Sequence, residues 1–236
     1  MTKAHCFAIY YAQLPTGNTI SDKTLIQRLI RVLRIQPDEE FILFNQQEHI
    51  YCSLVTADQK SMTLRIIKKE KNTILTPHIT VLLPVLKRAA LEEALYLVTE
   101  LGAQEIQLIT TDKTTKQQSL DIERAQRIVI AAAEQSKQFA FPQVIQPIPL
   151  DTALKNCKKP LLIADIQGKS IGTYIPLLKK QTALTLLVGP EGDFSQSEYE
   201  LFARIADNGY HCTLTPTILR SEHAIALLVG IVRSML

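Results

Sequence analysis

Near the C-terminal end of the sequence, Arg220 and Glu222 are separated by one residue. An arginine can stabilise negative charge, and a glutamate can act as an acid or a base. The turn that holds them otherwise contains apolar and small residues. An arginine there can bind a phosphate, or stabilise negative charge that develops on a substrate carbonyl, and a surface salt bridge is its structural alternative. If Ser221 caps the last helix, Glu222 lies in its first turn, where the helix dipole favours a carboxylate. That structural role competes with a role for Glu222 as a base.

A second turn, Gly189-Pro190-Glu191-Gly192, follows the apolar run Leu184–Val188. Its proline fixes one φ angle, and its second glycine permits a positive φ. Ser195, with Glu198 three residues later, predicts a capping box at the start of the next helix. Many folds use such a strand-to-helix loop without any function, and this one matches neither a GxGxxG nor a Walker A loop. If both turns lie at the carboxyl ends of neighbouring parallel strands, they form a cleft for a small molecule.

The net charge of +3 is carried by the N-terminal part of the chain, since residues 1–75 contain ten Lys and Arg and seven Asp and Glu. An excess of this size is compatible with a polyanionic partner but gives it little support. Arg28, Arg31 and Arg34 are expected to project from the N-terminal helix, away from much of its apolar stripe. They are candidates for contacts with RNA, although a solvated polar face is the commoner meaning of such spacing.

Cysteine and histidine spacing gives no sign of a metal site. The four cysteines form no CxxC pair and the five histidines lack ligand spacing, so we expect reduced thiols, no bound metal and a cytoplasmic location. The segment Met1–Tyr11 lacks the apolar core and cleavage site of a signal peptide. The last helix, 224–236, is very apolar but too short to span a bilayer, which predicts a buried or subunit-facing helix and no membrane partner.

The first part of the chain predicts a small β-rich domain, either a barrel or a curled sheet. A strand, His5–Tyr11, precedes a helix that we expect Ser21 to cap and that runs to about Arg34. Three short strands follow, at Glu40–Phe44, Ile50–Val55 and Met62–Ile67. The predicted borders are 1–70 for this domain, 71–78 for a linker and 79–236 for a second domain.

In the second part, continuous apolar strands alternate with helices. The predicted strands are Ile79–Val85, Glu105–Ile109, Pro160–Ile166, Leu184–Val188 and Tyr210–Leu214. The predicted helices are Arg88–Leu101, closed by Gly102, then Asp121–Gln138, Ser195–Asp207 and the terminal helix. This alternation indicates an α/β domain with a parallel sheet that is covered on both faces.

The two C-terminal turns make a family resemblance specific. With the motifs around them, the chain resembles the bacterial 16S ribosomal RNA uridine N3-methyltransferases (the ribosomal small subunit methyltransferase E family) of the SPOUT superfamily, over nearly its whole length. The motifs that carry the resemblance are Leu187-Val188-Gly189-Pro190-Glu191-Gly192, Ile218-Leu219-Arg220, Glu100-Leu101-Gly102, Ala132-Ala133-Glu134-Gln135-Ser136 and Val32-Leu33-Arg34. The first two are the most specific.

The resemblance implies a PUA-like β-barrel that binds RNA, followed by an α/β methyltransferase domain with a deep trefoil knot. It also implies a homodimer, S-adenosylmethionine as the methyl donor, and 16S rRNA or the assembled small ribosomal subunit as substrate. Arg220 and Glu222 become the candidate catalytic residues. The implied cofactor-binding residues are Ile163, Leu187, Val188, Gly189, Pro190, Glu191, Gly192, Leu214, Ile218, Leu219, Arg220, Ser221 and Ala224.

The chain departs from the family pattern at several positions. Asp193 replaces a usual glycine, Leu97 replaces a usual lysine, and Lys137-Gln138 replaces a usual Gly-Arg. The alternative hypothesis is therefore a diverged relative that binds S-adenosylmethionine and RNA but methylates another RNA or is inactive.

Overall fold

The computed structural model describes residues 6–114, 120–157, 159–204 and 209–235. These residues form two compact units. The first runs to Thr73 and also includes Ala133–Ala140, and the second contains Ile74–Ala132 and the chain from Phe141 onward. The predicted element ends at His5, Asp207 and Leu236 lie outside the described residues.

The first unit is built on a five-stranded mixed sheet. Its strands are β1 (Phe7–Tyr10), β2 (Thr19–Ile20), β3 (Glu40–Phe44), β4 (Glu48–Ala57) and β5 (Met62–Lys71). They lie in the order β1-β3-β4-β5-β2, with β1 parallel to β3 and the other neighbours antiparallel. Phe41, Leu43, Ile50 and Leu64 are among the side chains that fill its core. The predicted succession of a strand, a helix and three strands is confirmed, and the two-residue β2 is an addition to it.

Helix α1 (Lys23–Gln27) starts one residue later than predicted. Asp22, and not Ser21, caps it: the Asp22 Oδ1 accepts hydrogen bonds from the amides of Thr24 at 2.8 Å and Leu25 at 3.1 Å. A carboxylate that accepts from these otherwise unpaired amides satisfies the helix start.

The continuation of this helix is π-helical over Arg28–Val32. The Leu33 amide donates to the Arg28 carbonyl at 3.0 Å, five residues back, so the side chains that follow no longer keep the 3.6-residue period. Val32, which that period places on the apolar stripe, is 72% exposed. The chain then turns away at Arg34, whose φ is 56°.

The second unit contains a six-stranded sheet in which every neighbouring pair is parallel. Its strands are β6 (His78–Pro84), β7 (Glu105–Thr110), β8 (Gln143–Pro149), β9 (Leu161–Ser170), β10 (Ala183–Leu187) and β11 (Gly209–Thr213), in the order β11-β9-β10-β6-β7-β8. The helices are α2 (Arg88–Glu100), α3 (Ile122–Ser136), α4 (Leu150–Asn156), α5 (Ile175–Leu178), α6 (Gln196–Arg204) and α7 (Ser221–Met235). Helix α3 passes into the first unit at Ala133. The predicted α/β class with a parallel sheet is confirmed.

Sequence patterns missed β8, α4, the turn of 3₁₀-helix at Ile171–Tyr174 and the short α5 that follows it. Strand β8 contains Pro147 and Pro149, which argue against a central strand. It lies at one edge of the sheet, where the outer side of the strand has no neighbouring strand to bond, so proline is tolerated there. Pro149 also precedes α4 directly, so both elements sit in a segment that looks like a loop.

Helix α7 is anchored by a half-buried arginine near its end. The Arg233 guanidinium donates to the carbonyls of Pro77 at 2.7 Å and Gly102 at 2.6 Å, and to the Gln104 side chain at 2.8 Å. Gly102 has a φ of 83°, as predicted for the residue that closes α2. One side chain thus ties the end of α7 to the end of α2 and to the start of β6.

Candidate functional site

An insertion in β9 opens the carboxyl edge of the sheet. His211 of β11 pairs with Ile163, but the next residue, Cys212, pairs with Lys169, so the five residues Ala164–Gly168 stand between two successive register positions. A Cβ at Gly168 would lie 2.5 Å from the His211 carbonyl carbon, so this close backbone approach requires glycine. The inserted residues form one wall of a cavity.

That cavity has a volume of about 330 Å³, at the small end of the range for ligand pockets. It lies where β9, β10 and β11 end, which is the place that the two turns predict. Its lining residues are Ala164, Asp165, Ile166, Val188, Gly189, Pro190, Glu191, Asp193, Tyr199, Cys212, Thr213, Leu214, Thr215, Thr217, Ile218, Leu219, Ser221 and Ala224.

The cavity brings together most of the residues predicted to bind a cofactor. Those that line it are Val188, Gly189, Pro190, Glu191, Leu214, Ile218, Leu219, Ser221 and Ala224. Ile163 and Leu187 are fully buried in the apolar core instead. Gly192 and Arg220 are not among the lining residues.

A hydrogen bond links the two turns. The Ser221 hydroxyl donates to the Gly189 carbonyl at 2.7 Å, and the Ala224 amide donates to the Arg220 carbonyl at 2.8 Å as α7 begins. The prediction that the Ser221 side chain caps α7 is therefore wrong: Ser221 is already helical, and its hydroxyl faces the other turn. The bond fixes the distance between two walls of the cavity.

The Gly-Pro-Glu-Gly turn takes its left-handed residue one position later than predicted. Gly192 does not have a positive φ, whereas Asp193 has a φ of 60° and donates its amide to the Pro190 carbonyl at 2.9 Å. Aspartate tolerates this conformation better than most residues other than glycine. The turn is therefore closed by a residue that also brings a carboxylate to the cavity.

The predicted capping box at α6 is confirmed. The Ser195 amide donates to Glu198 Oε2 at 2.8 Å, and the Glu198 amide donates back to the Ser195 hydroxyl at 3.3 Å. Glu198 is only 4% exposed, and its Oε1 accepts a further bond from the Asp112 amide at 2.9 Å. This carboxylate holds the loop that leads from the cavity into α6.

Burial keeps two potentially reactive groups of the cavity protonated. It raises the pKa of the Cys212 thiol to about 12, and the nearby Asp165 adds to the shift. The pKa of Tyr199 is also raised to about 12, by burial first and then by Asp193 and Asp165. A thiol that stays protonated is a poor nucleophile, so the cavity suits binding more than covalent catalysis.

Arg220 and Glu222 lie outside this cavity lining and differ in exposure. The Arg220 side chain is 80% exposed and its Nη1 lies 4.0 Å from Glu222 Oε1, while the Glu222 side chain is 5% exposed. Glu222 Oε2 is buried and has no hydrogen-bond partner among the described residues. A buried carboxylate oxygen without a donor is available to accept a proton or a hydrogen bond.

Glu222 also belongs to a cluster that the sequence did not suggest. Glu93, Glu222 and His223 each bring one potential metal-ligand atom within 4.8 Å of the others. Glu93 and His223 are exposed, and Glu222 and His223 lie in the first turn of α7, where the helix dipole opposes a cation. Two of the three contact each other directly, since Nε2 of His223 lies 3.5 Å from Glu93 Oε1.

The arginines proposed to meet RNA do not share one environment. Arg28 forms a two-point ion pair with Glu134, whose Oε1 also accepts from the Tyr10 amide at 2.8 Å. Arg31 and Arg34 are exposed. Arg28 is therefore bound in an ion pair inside the first unit, and Arg31 and Arg34 are the two predicted arginines that are exposed.

Several lining residues escaped the sequence analysis. Asp165 and Ile166 directly follow the apolar run Leu161–Ala164 within the predicted strand, and an acidic residue at that position is a usable signal. Asp193 was noted only as a departure from the family pattern. Tyr199 lies on α6, and nothing in its neighbourhood in the sequence points to the cavity.

Comparison with known proteins places the chain in a family. The RNA methyltransferase domain model matches residues 74–233, well over half of the chain. "Ribosomal RNA small subunit methyltransferase E" of Rickettsia conorii is 26% identical over 205 residues, covering 86% of this chain and 83% of its own. The protein of the same name from Aquifex aeolicus is 22% identical over 228 residues, with 94% and 97% covered.

Among solved structures, the ribosomal RNA small subunit methyltransferase E of Neisseria gonorrhoeae, bound to S-adenosylmethionine, superposes with a TM-score of 0.83. It is 24% identical, and the match covers 98% of each chain, so the likeness concerns the fold. The family resemblance predicted from the two turns is confirmed by these relatives and by the matching domain model. The chain belongs to the RNA methyltransferase domain family.

Proposed function

We propose that the protein transfers a methyl group from S-adenosylmethionine to N3 of a uridine in the 16S rRNA of the small ribosomal subunit. The observation that carries this proposal is the cavity at the ends of β9, β10 and β11, closed by two turns that the Ser221–Gly189 hydrogen bond joins. Relatives named as ribosomal RNA small subunit methyltransferases support the substrate class.

The cavity fits the methyl donor by its size and its mixed lining. Apolar side chains such as Val188, Leu214 and Leu219 suit an adenine ring and aliphatic carbons, and the turn backbones and acidic residues suit the polar and charged parts. The relative from Neisseria gonorrhoeae binds S-adenosylmethionine on the same fold. Ile163 and Leu187 support the site from the core beneath it.

Bound S-adenosylmethionine would supply a methyl carbon bonded to a positively charged sulfur. As the new carbon–nitrogen bond forms, the carbon–sulfur bond would break and its electron pair would stay on the sulfur. Uracil N3 must lose its proton to become a good nucleophile, and the charge then spreads over the flanking carbonyls. The exposed Arg220 guanidinium is proposed to stabilise that charge. Glu222, whose Oε2 lacks a donor, is the proposed acceptor of the N3 proton.

The proposal for the domains, the knot and the oligomeric state follows from the family resemblance. We propose that the first unit is a PUA-like barrel that meets RNA through Arg31 and Arg34, with domain borders close to 1–70 and 79–236. The second unit is proposed to carry a trefoil knot, and strand β10, inserted between β9 and β6, is in keeping with such a chain path. A homodimer formed through this unit and a cytoplasmic location complete the proposal.

In this fold, no helix of the described residues is long and apolar enough to cross a bilayer.

A direct test uses the purified protein with S-adenosylmethionine carrying an isotopically labelled methyl group. Small ribosomal subunits that lack N3-methyluridine and naked 16S rRNA are the two substrates. Mass spectrometry of the digested nucleosides should detect labelled N3-methyluridine in at least one of them. Donor binding without methylation of either substrate would favour the diverged relative over an active rRNA methyltransferase.

A further inference from the structure

The charged residues described as lining the cavity of the second unit are all acidic. Asp165, Glu191 and Asp193 are the acidic residues among those that line it. No lysine or arginine belongs to the described lining residues. An acidic lining favours a cationic ligand if at least one of its carboxylates has no cationic partner within the protein.

Two of these carboxylates have partners that can carry the compensating charge. Glu191 Oε2 lies 2.6 Å from the Lys87 ammonium nitrogen. Asp165 Oδ2 lies 2.8 Å from Nδ1 of His211, and its Oδ1 accepts from the Gln167 amide at 2.9 Å. Both groups are therefore held in place by the protein itself.

Asp193 differs because its hydrogen-bond donors in the described structure are neutral. The nearby Lys113 ammonium is bound to the carbonyl oxygens of Gly192 at 2.7 Å and Phe194 at 3.2 Å. Asp193 Oδ1 accepts from the Phe194 amide at 2.8 Å, and the Tyr199 hydroxyl lies 3.3 Å from each carboxylate oxygen. A hydroxyl has one proton and donates to one oxygen at a time, so part of the acceptor capacity of Asp193 stays unused. The raised pKa of Tyr199 keeps that proton in place at neutral pH.

The backbone holds the Asp193 carboxylate in position. With a φ of 60° and its amide bound to the Pro190 carbonyl, Asp193 closes the turn. Its Oδ1 lies 3.2 Å from where a Cβ on Gly189 would stand, so the carboxylate packs against the Gly189 backbone. Since Ser221 binds the carbonyl of the same glycine, the charge is fixed at the junction of the two turns.

We propose that Asp193 makes this cavity selective for the cationic methyl donor over its neutral demethylated product. This selectivity presupposes the proposed methyl-donor function. S-adenosylmethionine carries a sulfonium charge that S-adenosylhomocysteine lacks, while the amino acid and adenosine parts are common to both. A carboxylate without an ion-pair partner attracts the sulfonium and has no such attraction for a neutral thioether, so it favours donor binding and product release.

The experiment compares the affinities of S-adenosylmethionine and S-adenosylhomocysteine in calorimetry, for the wild-type protein and for Asp193→Asn. The variant keeps the shape of the side chain and tolerates the positive φ. We expect it to bind S-adenosylmethionine about five- to tenfold more weakly, with the affinity for S-adenosylhomocysteine changed less than about twofold. Sinefungin, in which an amine-bearing carbon replaces the sulfonium, should follow S-adenosylmethionine.

Three variants control the result. Asp193→Gly relieves the backbone and removes the carboxylate, so it should reproduce Asp193→Asn. Tyr199→Phe removes the hydroxyl but leaves the charge, so the preference for the cation should remain. Glu200→Gln makes the same change in net charge on an exposed position of α6 outside the described lining, and it should leave both affinities unchanged.

An equal loss for both ligands in Asp193→Asn would overturn the proposal, because it would place Asp193 against a group that both ligands share. Unchanged affinities for both would also overturn it and leave Asp193 as a residue of the turn alone. If the wild-type protein binds none of the three ligands, the methyl-donor function itself fails, and this outcome is distinct from the other two.

Discussion

Arg220 and Ser221 are neighbours in the chain but face different surroundings. Arg220 points into solvent beside the buried Glu222, whereas the Ser221 hydroxyl is bound within the wall of the cavity. The difference separates a residue proposed to act on the RNA from one proposed to shape the donor site. Each role gives a different kinetic result when the side chain is removed.

Replacing Arg220 by alanine should lower the single-turnover methylation rate by about a hundredfold or more, since it removes a fixed charge from the developing anion. Donor affinity should change little, because Arg220 is not among the residues that line the cavity. Rapid-quench kinetics and calorimetry measure the two quantities. Arg220→Lys keeps the charge but not the planar fork, so it should restore part of the rate. A loss of donor affinity as large as the loss of rate would contradict this role.

Replacing Ser221 by alanine should weaken donor binding about fivefold, because the Gly189 carbonyl loses its partner and the two turns lose their link. Calorimetry with S-adenosylmethionine measures the change. Ser234→Ala is the matched control, since Ser234 lies on the exposed end of the same helix and its hydroxyl bonds only within that helix. Identical affinities in Ser221→Ala and Ser234→Ala would show that the link does not shape the site.

At the scale of elements, α7 is stabilised by Arg233 at one end and begins at the cavity at the other. Burial lowers the pKa of this arginine, but its guanidinium still supplies three hydrogen bonds, one to the residue before β6 and two to the loop between α2 and β7. Arg233→Met should therefore reduce the free energy of unfolding by about 2–4 kcal/mol, because buried acceptors lose charged donors. Urea unfolding followed by circular dichroism tests this.

The control for that measurement is Arg204→Met, at the exposed end of α6. This change should alter the unfolding free energy by less than about 0.5 kcal/mol, as surface substitutions usually do. Equal unfolding curves for the two variants would mean that the Arg233 bonds contribute no net stability.

The first helix gives a prediction about RNA. Replacing Arg31 and Arg34 together by glutamine should weaken binding to 16S rRNA fragments and reduce the slope of log affinity against log salt by about one to two. Fluorescence anisotropy over a salt series measures both quantities. The double variant Lys179→Gln with Lys180→Gln removes the same charge from exposed positions of the second unit. If the two double variants have equal slopes, Arg31 and Arg34 are only solvated surface residues.

The sequence predicted most of the parallel sheet because its strands are continuous apolar runs and its helices carry clear end signals such as Gly102 and the Ser195–Glu198 box. The π-helical turn after Gln27 could not be predicted, since one extra residue per turn leaves no mark on the side-chain pattern. The five-residue insertion in β9 was missed for a similar reason. Its residues look like the end of a strand, and only the pairing with β11 shows that the register shifts.

The candidate site was predictable where turn residues carry a signal and unpredictable where a side chain arrives from elsewhere. Gly189, Pro190 and Leu219 come from turns that the sequence marks. Asp165 reaches the cavity through the insertion in β9, and Tyr199 reaches it from α6. Their contribution depends on packing between segments distant in sequence, which a single sequence does not display.

At the scale of the whole molecule, the outer side of α7 remains apolar. Ile225, Leu228, Val229 and Val232 are buried, but Ile231 on the same helix is only partly covered. We therefore predict a homodimer of twice 26.5 kDa in sedimentation equilibrium at micromolar concentration. Ile231→Asp should shift it toward the monomer, whereas Ser234→Asp, at an exposed position, should not. A monomeric wild-type protein that binds the donor tightly would contradict this interface.

The described lining of the cavity comes from residues 164–224. All residues of the first unit, including Ala133–Ala140, precede that stretch. During synthesis the first unit is therefore complete in sequence while the cavity still lacks its walls. Ser221, which joins the two turns, emerges after nearly all of the other lining residues. A product terminated before this serine carries the whole first unit and no closed cavity, so ligand binding reports that translation has passed the start of α7.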